Sequence, residues 1–168
     1  MVIKHSGQRV AVLIDVQNLY HSAKNLHGAR VNFGAILKVA VSNRNLIRAF
    51  AYVVKTKTGE EKPFFEALIK LGIETRVRDL QEFFGGLKKA DWDVGITVDA
   101  IRISQSCDAI VLCSGDGDFL QLVEYLKNQG KRVEVVAFGK SSSSKLKESV
   151  DEFIDLEKNL DKYLLKAR

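Results

Sequence analysis

The chain has 168 residues, 46% of them apolar and 28% charged, which excludes a disordered polypeptide and is expected to give a single domain over residues 1–168. Lys and Arg number 26 against 21 Asp and Glu, and the resulting net charge of +5 favours a polyanionic partner only mildly. No apolar run nears the roughly 20 residues of a membrane span, and Met1 to Arg9 carries no apolar leader core. A cytoplasmic protein with no membrane partner is expected.

Arg9 to Asp15 (RVAVLID) is a near-continuous apolar run, as in a strand covered on both faces of a parallel sheet, and it ends in Asp15. Phe33 to Val41 has helical spacing and Asn45 to Val54 reads as the second strand. Lys55 to Glu60 (KTKTGE) reads as a mobile connection. Lys62 to Leu71 is a helix with Pro63, the only proline, in its first turn, where the missing N–H costs nothing. Ile73 to Asp79 is a strand, and Lys88 to Ile103 is expected to be a helix crossing the sheet, its periodicity clearest from Trp92.

Asp108 to Cys113 (DAIVLC) is the fourth strand, and Phe119 to Gln129 a helix with Phe119, Leu122, Val123 and Leu126 on one face. Arg132 to Phe138 is the fifth strand. Gly139 to Lys147 (GKSSSSKLK) reads as mobile, and Glu152 to Leu165 as an amphipathic helix packing on the parent sheet, with a homodimer contact as its alternative use. Gly72 and Gly130 each close a helix and lead into a strand. Cys107 and Cys113 fit neither a metal knuckle nor a disulfide framework and are expected as buried thiols. Alternating strands and helices joined by right-handed crossovers predict a three-layer α/β/α fold. Its sheet should be mostly parallel, with five or six strands and ligands at their carboxyl ends.

The chemistry concentrates at those ends. In Ile110 to Leu120 (IVLCSGDGDFL) a strand runs into Ser114, Gly115, Asp116, Gly117 and Asp118 and then directly into a helix. The glycines admit tight backbone geometry, and the two aspartates stand at the mouth of the sheet. Asp15 closes another strand, so the fold should bring it beside Asp116. Carboxylates in one crevice raise each other's pKa unless a cation sits among them. Asp93, near the start of its helix, is the favoured further ligand. Asp99 points about 120° away from it and suits a supporting, capping or salt-bridging role, while Asp91 suits a cap. Oxygen ligands with no His or Cys beside them select Mg2+ or Mn2+ over zinc, a setting for phosphodiester hydrolysis by a metal-activated water.

The segments IDVQN at 14–18, WDV at 92–94, VDA at 98–100 and SGDGDF at 114–119 resemble the NYN domain family, above all its bacterial LabA-like members, over nearly the whole chain. The resemblance implies a PIN-like, FLAP-nuclease-like fold and metal-dependent cleavage of RNA. Position by position it implies a site of Asp15, Asp93, Asp116 and Asp118, supported by Asn18, Asp99 and Ser114. Asn18 has a second reading as a helix cap. Family members often carry Lys-Gly-Val-Asp where this chain has Lys89, Ala90, Asp91, Trp92 and Asp93, so Lys88 and Lys89 stand as substrate contacts at a shifted spacing. The expected function is a metal-dependent ribonuclease, an endonuclease. The alternative is a non-catalytic RNA-binding or regulatory module that retains the fold, and DNA is left open as the other polyanion. A haloacid-dehalogenase reading needs D-x-D after the first strand, where this chain has Asp15, Val16 and Gln17.

Overall fold

The computed structural model describes residues 4–82, 88, 89 and 91–165, excepting the side chains of 81, 82, 88 and 89. In chain order the elements are β1 (Arg9–Asp15), α1 (Val16–His27), β2 (Arg30–Val31), α2 (Phe33–Val41), β3 (Asn45–Lys55), α3 (Lys62–Lys70) and β4 (Glu74–Asp79). There follow β5 (Gln81–Glu82), β6 (Lys88–Lys89), α4 (Asp93–Ser104), β7 (Ala109–Cys113), α5 (Leu120–Asn128), β8 (Arg132–Ala137), α6 (Ser144–Ser149), β9 (Glu152–Asp155), α7 (Leu160–Tyr163) and β10 (Leu164–Leu165).

Six strands form the central sheet in the order β4-β3-β1-β7-β8-β9, and every neighbouring pair is parallel. Val10 to Asp15 of β1 and all of β7 are buried at every position. A strand buried at each successive residue has both faces covered, because side chains alternate across the sheet. The α/β/α sandwich expected from the sequence follows from that pattern. The two-stranded pairs β10-β2 and β5-β6 are antiparallel and lie outside the main sheet.

The chain builds outward from β1 to β3 and β4, then returns to the other side of β1 to place β7, β8 and β9. β1 is therefore flanked by strands reached in opposite directions, the arrangement that opens a crevice at the carboxyl ends. Gly72 and Gly130 adopt φ of 83° and 80°, the left-handed conformation that ends a helix at no Cβ penalty. Cys107 and Cys113 are buried and unbridged, as expected.

Three expectations are corrected. The segment from Lys88 is not one helix: residues 88 and 89 pair with β5, and α4 begins at Asp93. The tail is not an amphipathic helix from Glu152. Phe153 and Ile154 instead register with Val135 and Val136, so β9 becomes the sixth strand, and Leu156 is buried in the 3-10 turn that follows. Gly139 to Lys147 is not an open loop. A 3-10 turn over Gly139–Ser141 leads into α6, where the Ser143 hydroxyl caps the Leu146 N–H at 3.3 Å and Leu146 is fully buried. A run of serines is read as mobile from composition alone, yet serine is also a good helix cap, and Leu146 supplies the apolar anchor.

Candidate metal centre

Asp15 is the last residue of β1, and the neighbouring pair Ile14 and Cys113 sets Ser114, the residue after β7, beside it. The Ser114 hydroxyl donates to Asp15 Oδ2 at 2.9 Å, and the Asn18 N–H donates to Asp15 Oδ1 at 3.3 Å. Asp15 is thus the residue that caps α1. Asn18 does something else: its side-chain oxygen accepts the Gly115 N–H at 3.0 Å, tying the first strand-helix turn to the loop after β7. The Asp116 carboxylate in turn accepts the Asp118 N–H at 2.9 Å, fixing the turn that opens α5.

Asp93, at the first turn of α4, completes the approach. One carboxylate oxygen from each of Asp93, Asp116 and Asp118 lies within 4.8 Å of the others. Asp15 is outside that trio but lines the same crevice of about 420 Å³, together with Asn18, His21, Asp91 and Trp92. Among the described residues no Lys or Arg forms an ion pair with any of these four aspartates.

Trp92, at the N-terminus of α4 next to Asp93, anchors the helix to β3. Its indole N–H donates to the Val53 carbonyl at 3.0 Å, and its ring packs 5.3 Å from Tyr52 and under the Arg78 guanidinium at 4.3 Å. A Cβ on Gly95 would stand 2.6 Å from the ring, so the helix passes Trp92 only because residue 95 is glycine. The sequence contained Trp92 but no local sign that a carbonyl of β3 would hold it. Asp91 accepts the Asp93 N–H at 2.6 Å, a capping contact.

Asp99 is placed away from the trio. Its Oδ2 accepts the Tyr52 hydroxyl at 2.9 Å and faces Arg76 Nε at 3.2 Å. Burial, and then the hydrogen bond to Asp99, push the Tyr52 hydroxyl pKa upward, so it stays a donor. Lys88 and Lys89 lie on β6, and their side chains fall outside the described residues.

The two glycines of the SGDGD segment serve a close approach. Neither has a positive φ. A Cβ on Gly115 would lie 2.9 Å from Ser142 Cβ and 3.0 Å from its Cα, and one on Gly117 would lie 2.9 Å from Ser143 Oγ. The Ser143 N–H donates to the Gly115 carbonyl at 3.0 Å, so the serine segment clamps the aspartate loop from above. Gly115→Ala is expected to destabilise the fold by about 1–3 kcal/mol through overpacking. Urea denaturation checks this, and an unchanged midpoint would show that the serine segment can retreat.

The electrostatics of the crevice are governed by burial and by neighbouring carboxylates. Burial raises the Asp93 carboxyl, and the Asp91 side chain and the charges of Asp116, Asp91 and Asp15 add to it, bringing it up to about 7. Asp15 is also raised, by burial first, against the opposing hydrogen bonds from Ser114 and Asn18. A carboxyl whose folded pKa lies above its ordinary 3.8 contributes stability below that value and loses it as pH rises through about 7. Protein in EDTA is therefore expected to melt progressively lower from pH 4 to about 7. Mn2+ should raise the melting temperature more at pH 8 than at pH 5.5, and an equal shift at both would contradict a cation at Asp93.

A parallel α/β sandwich with carboxylates gathered at the carboxyl ends of its middle strands is consistent with a PIN-like domain. The sequence model of the NYN domain matches residues 9–157, and the chain belongs to the NYN domain family. The low amplitude and bright protein LabA of Synechococcus elongatus is 29% identical over 157 residues, covering 88% of this chain and 83% of that one. A crystal structure of a protein of unknown function from Vibrio parahaemolyticus has a TM-score of 0.87 at 30% identity, covering 98% of this chain and 100% of that chain. Among the described residues no helix is long and apolar enough to cross a membrane.

Proposed function

We propose that this NYN-domain protein is a ribonuclease that hydrolyses RNA phosphodiester bonds with Mg2+ or Mn2+ held by Asp93, Asp116 and Asp118, with Asp15 completing the set. The observation that carries this reading is the convergence of three carboxylate oxygens within 4.8 Å, from two separate elements. The donor set fits a hard divalent cation, being all oxygen and rich in charge, with burial and the neighbouring carboxylates favouring a proton at Asp93. When bound, such a cation supplies Lewis acidity to a phosphoryl oxygen and lowers the pKa of a coordinated water.

The protein's own residues set the stage for that chemistry. Ser114 and the Asn18 N–H hold both oxygens of Asp15 in a fixed direction, and Asn18 locks the aspartate loop against β1. Rigid placement of this kind limits the reorganisation needed when charge develops on the substrate. Trp92, hydrogen-bonded to the Val53 carbonyl, anchors the start of α4 beside Asp93. RNA is favoured as substrate by the typical nuclease-like character of the family and by the net charge of +5.

Purified protein incubated with mixed single-stranded and structured RNA is expected to cut it in Mg2+ or Mn2+ and to stop in EDTA. Internal fragments would establish the endonucleolytic mode. Binding without cleavage in either metal would leave an RNA-binding module in its place.

A further inference from the structure

The edge strand β4 ends on the same side of the sheet as the acidic crevice. In the strand register Asp15 stands opposite Tyr52, and Tyr52 opposite Arg76. Arg78 is therefore one pleat beyond Asp15 and two strands across, a lateral separation of about 10 Å. Alternate residues of a strand share a face, so Glu74, Arg76 and Arg78 point to one side of β4, the side that meets Phe50 and Trp92.

Three arginines lie on this face of β3 and β4, and two of them are matched. Arg48 donates to both oxygens of Glu74 at 2.7 Å, and Arg76 Nε lies 3.2 Å from Asp99 Oδ2. Arg78 is exposed, and among the described residues its guanidinium meets no carboxylate. One of its Nη atoms donates to the neutral carbonyl of Asp91, and its guanidinium carbon stands 4.3 Å from the centre of the Trp92 ring. Asp91 and Trp92 both line the acidic crevice. A positive charge is thus pinned at the rim of the crevice without being paired to its aspartates.

The stack takes one flat side of the guanidinium, and the carbonyl takes one of the five N–H donors that an arginine carries. The planar fork that is left fits two oxygens of a phosphate. An anchor for α4 would need only the stack and the carbonyl bond, and neither exposure nor charge.

We infer that Arg78 is a phosphate clamp, which binds a backbone phosphate neighbouring the scissile one and so steers the strand past Trp92 into the acidic crevice. The inference rests on the ribonuclease reading for the identity of the strand.

The test is fluorescence anisotropy in EDTA, where no cleavage intervenes, with a labelled single-stranded oligoribonucleotide over a series of KCl concentrations. Each phosphate neutralised on a single strand contributes about 0.7 to the slope of log K against log salt. Arg78→Gln is expected to flatten the wild-type slope by about that amount and to weaken binding about tenfold at low salt. Arg78→Lys keeps the charge but loses the fork, so it should keep the slope and bind more weakly than wild type. Arg102→Gln removes the same charge in the last turn of α4 and should leave slope and affinity unchanged. Circular dichroism checks each fold, and Arg78→Met, which keeps an unbranched chain over Trp92, takes the place of Arg78→Gln if that variant unfolds. A purely structural Arg78 would lower affinity without changing the slope.

A wild-type slope in Arg78→Gln, an equal flattening in Arg102→Gln, or no salt-dependent binding by wild type overturns the clamp. Cleavage in Mn2+ is scored separately, and there Arg78→Gln should raise KM more than it lowers kcat, because the contact is made before the transition state. Cleavage with an unchanged slope removes the clamp and leaves the ribonuclease; an Arg78-dependent slope without cleavage removes the ribonuclease and leaves the clamp.

Discussion

Asp116→Asn is expected to fold normally and to lose at least about a hundredfold of RNA cleavage, the scale on which removal of one charge-stabilising group acts. The structural role of Asp116 is to accept the Asp118 N–H at 2.9 Å, and an asparagine side-chain oxygen accepts that bond equally well. What the substitution removes is the charge. Asp93, raised partly by the charge of Asp116, should then shift downward, and the Mn2+-induced gain in melting temperature should shrink. Cleavage assays and thermal melts on the same preparation separate the two readouts. A variant that cuts RNA as fast as wild type would remove Asp116 from the catalytic set.

Arg44→Leu is expected to cost about 3–5 kcal/mol of stability, as does breaking any buried pair from one side. Arg44 and Glu134 have side chains with no exposed surface, joined by two hydrogen bonds of 2.7 and 2.9 Å. The remaining Arg44 donors go to Gln8 and to the carbonyls of Ala40 and Val41. Burial by itself would raise the Glu134 carboxyl, but the hydrogen bonds from Arg44 and Arg132 outweigh it and the net shift is downward. A depressed carboxyl contributes stability above its ordinary 4.5 and loses it as pH falls through the folded value. The Arg44 contribution should therefore shrink below pH 4.5, so the stability gap between wild type and Arg44→Leu should be narrower at pH 4 than at pH 7. Urea titrations at pH 7 and pH 4 measure both, and a cost under about 1 kcal/mol at pH 7 would place the burden on Arg132 and Lys4.

The strands around the site were legible because a buried parallel strand writes itself as a local apolar run. RVAVLID and DAIVLC could be read residue by residue, and the helix between Phe33 and Val41 has the bounds its spacing predicts. The tail was misread because Leu156, Leu160, Tyr163 and Leu164 fit a helical stripe, whereas what decides its fold is the open edge of β8 available to Glu152–Asp155. Local periodicity cannot register an edge offered by another part of the chain.

The sequence by itself determined that aspartates close β1 and follow β7, and that helix and strand alternate, since both are written in contiguous residues. Only the tertiary structure decided which aspartates stand together. It gave Asp99 to Tyr52 and Arg76 and left Asp93 with Asp116 and Asp118. It also turned Asn18 from cap to brace and made Gly115 a landing place for Ser142. Each of these is a contact whose energy belongs to two side chains brought together by folding, and neither side chain announces its partner in the sequence around it.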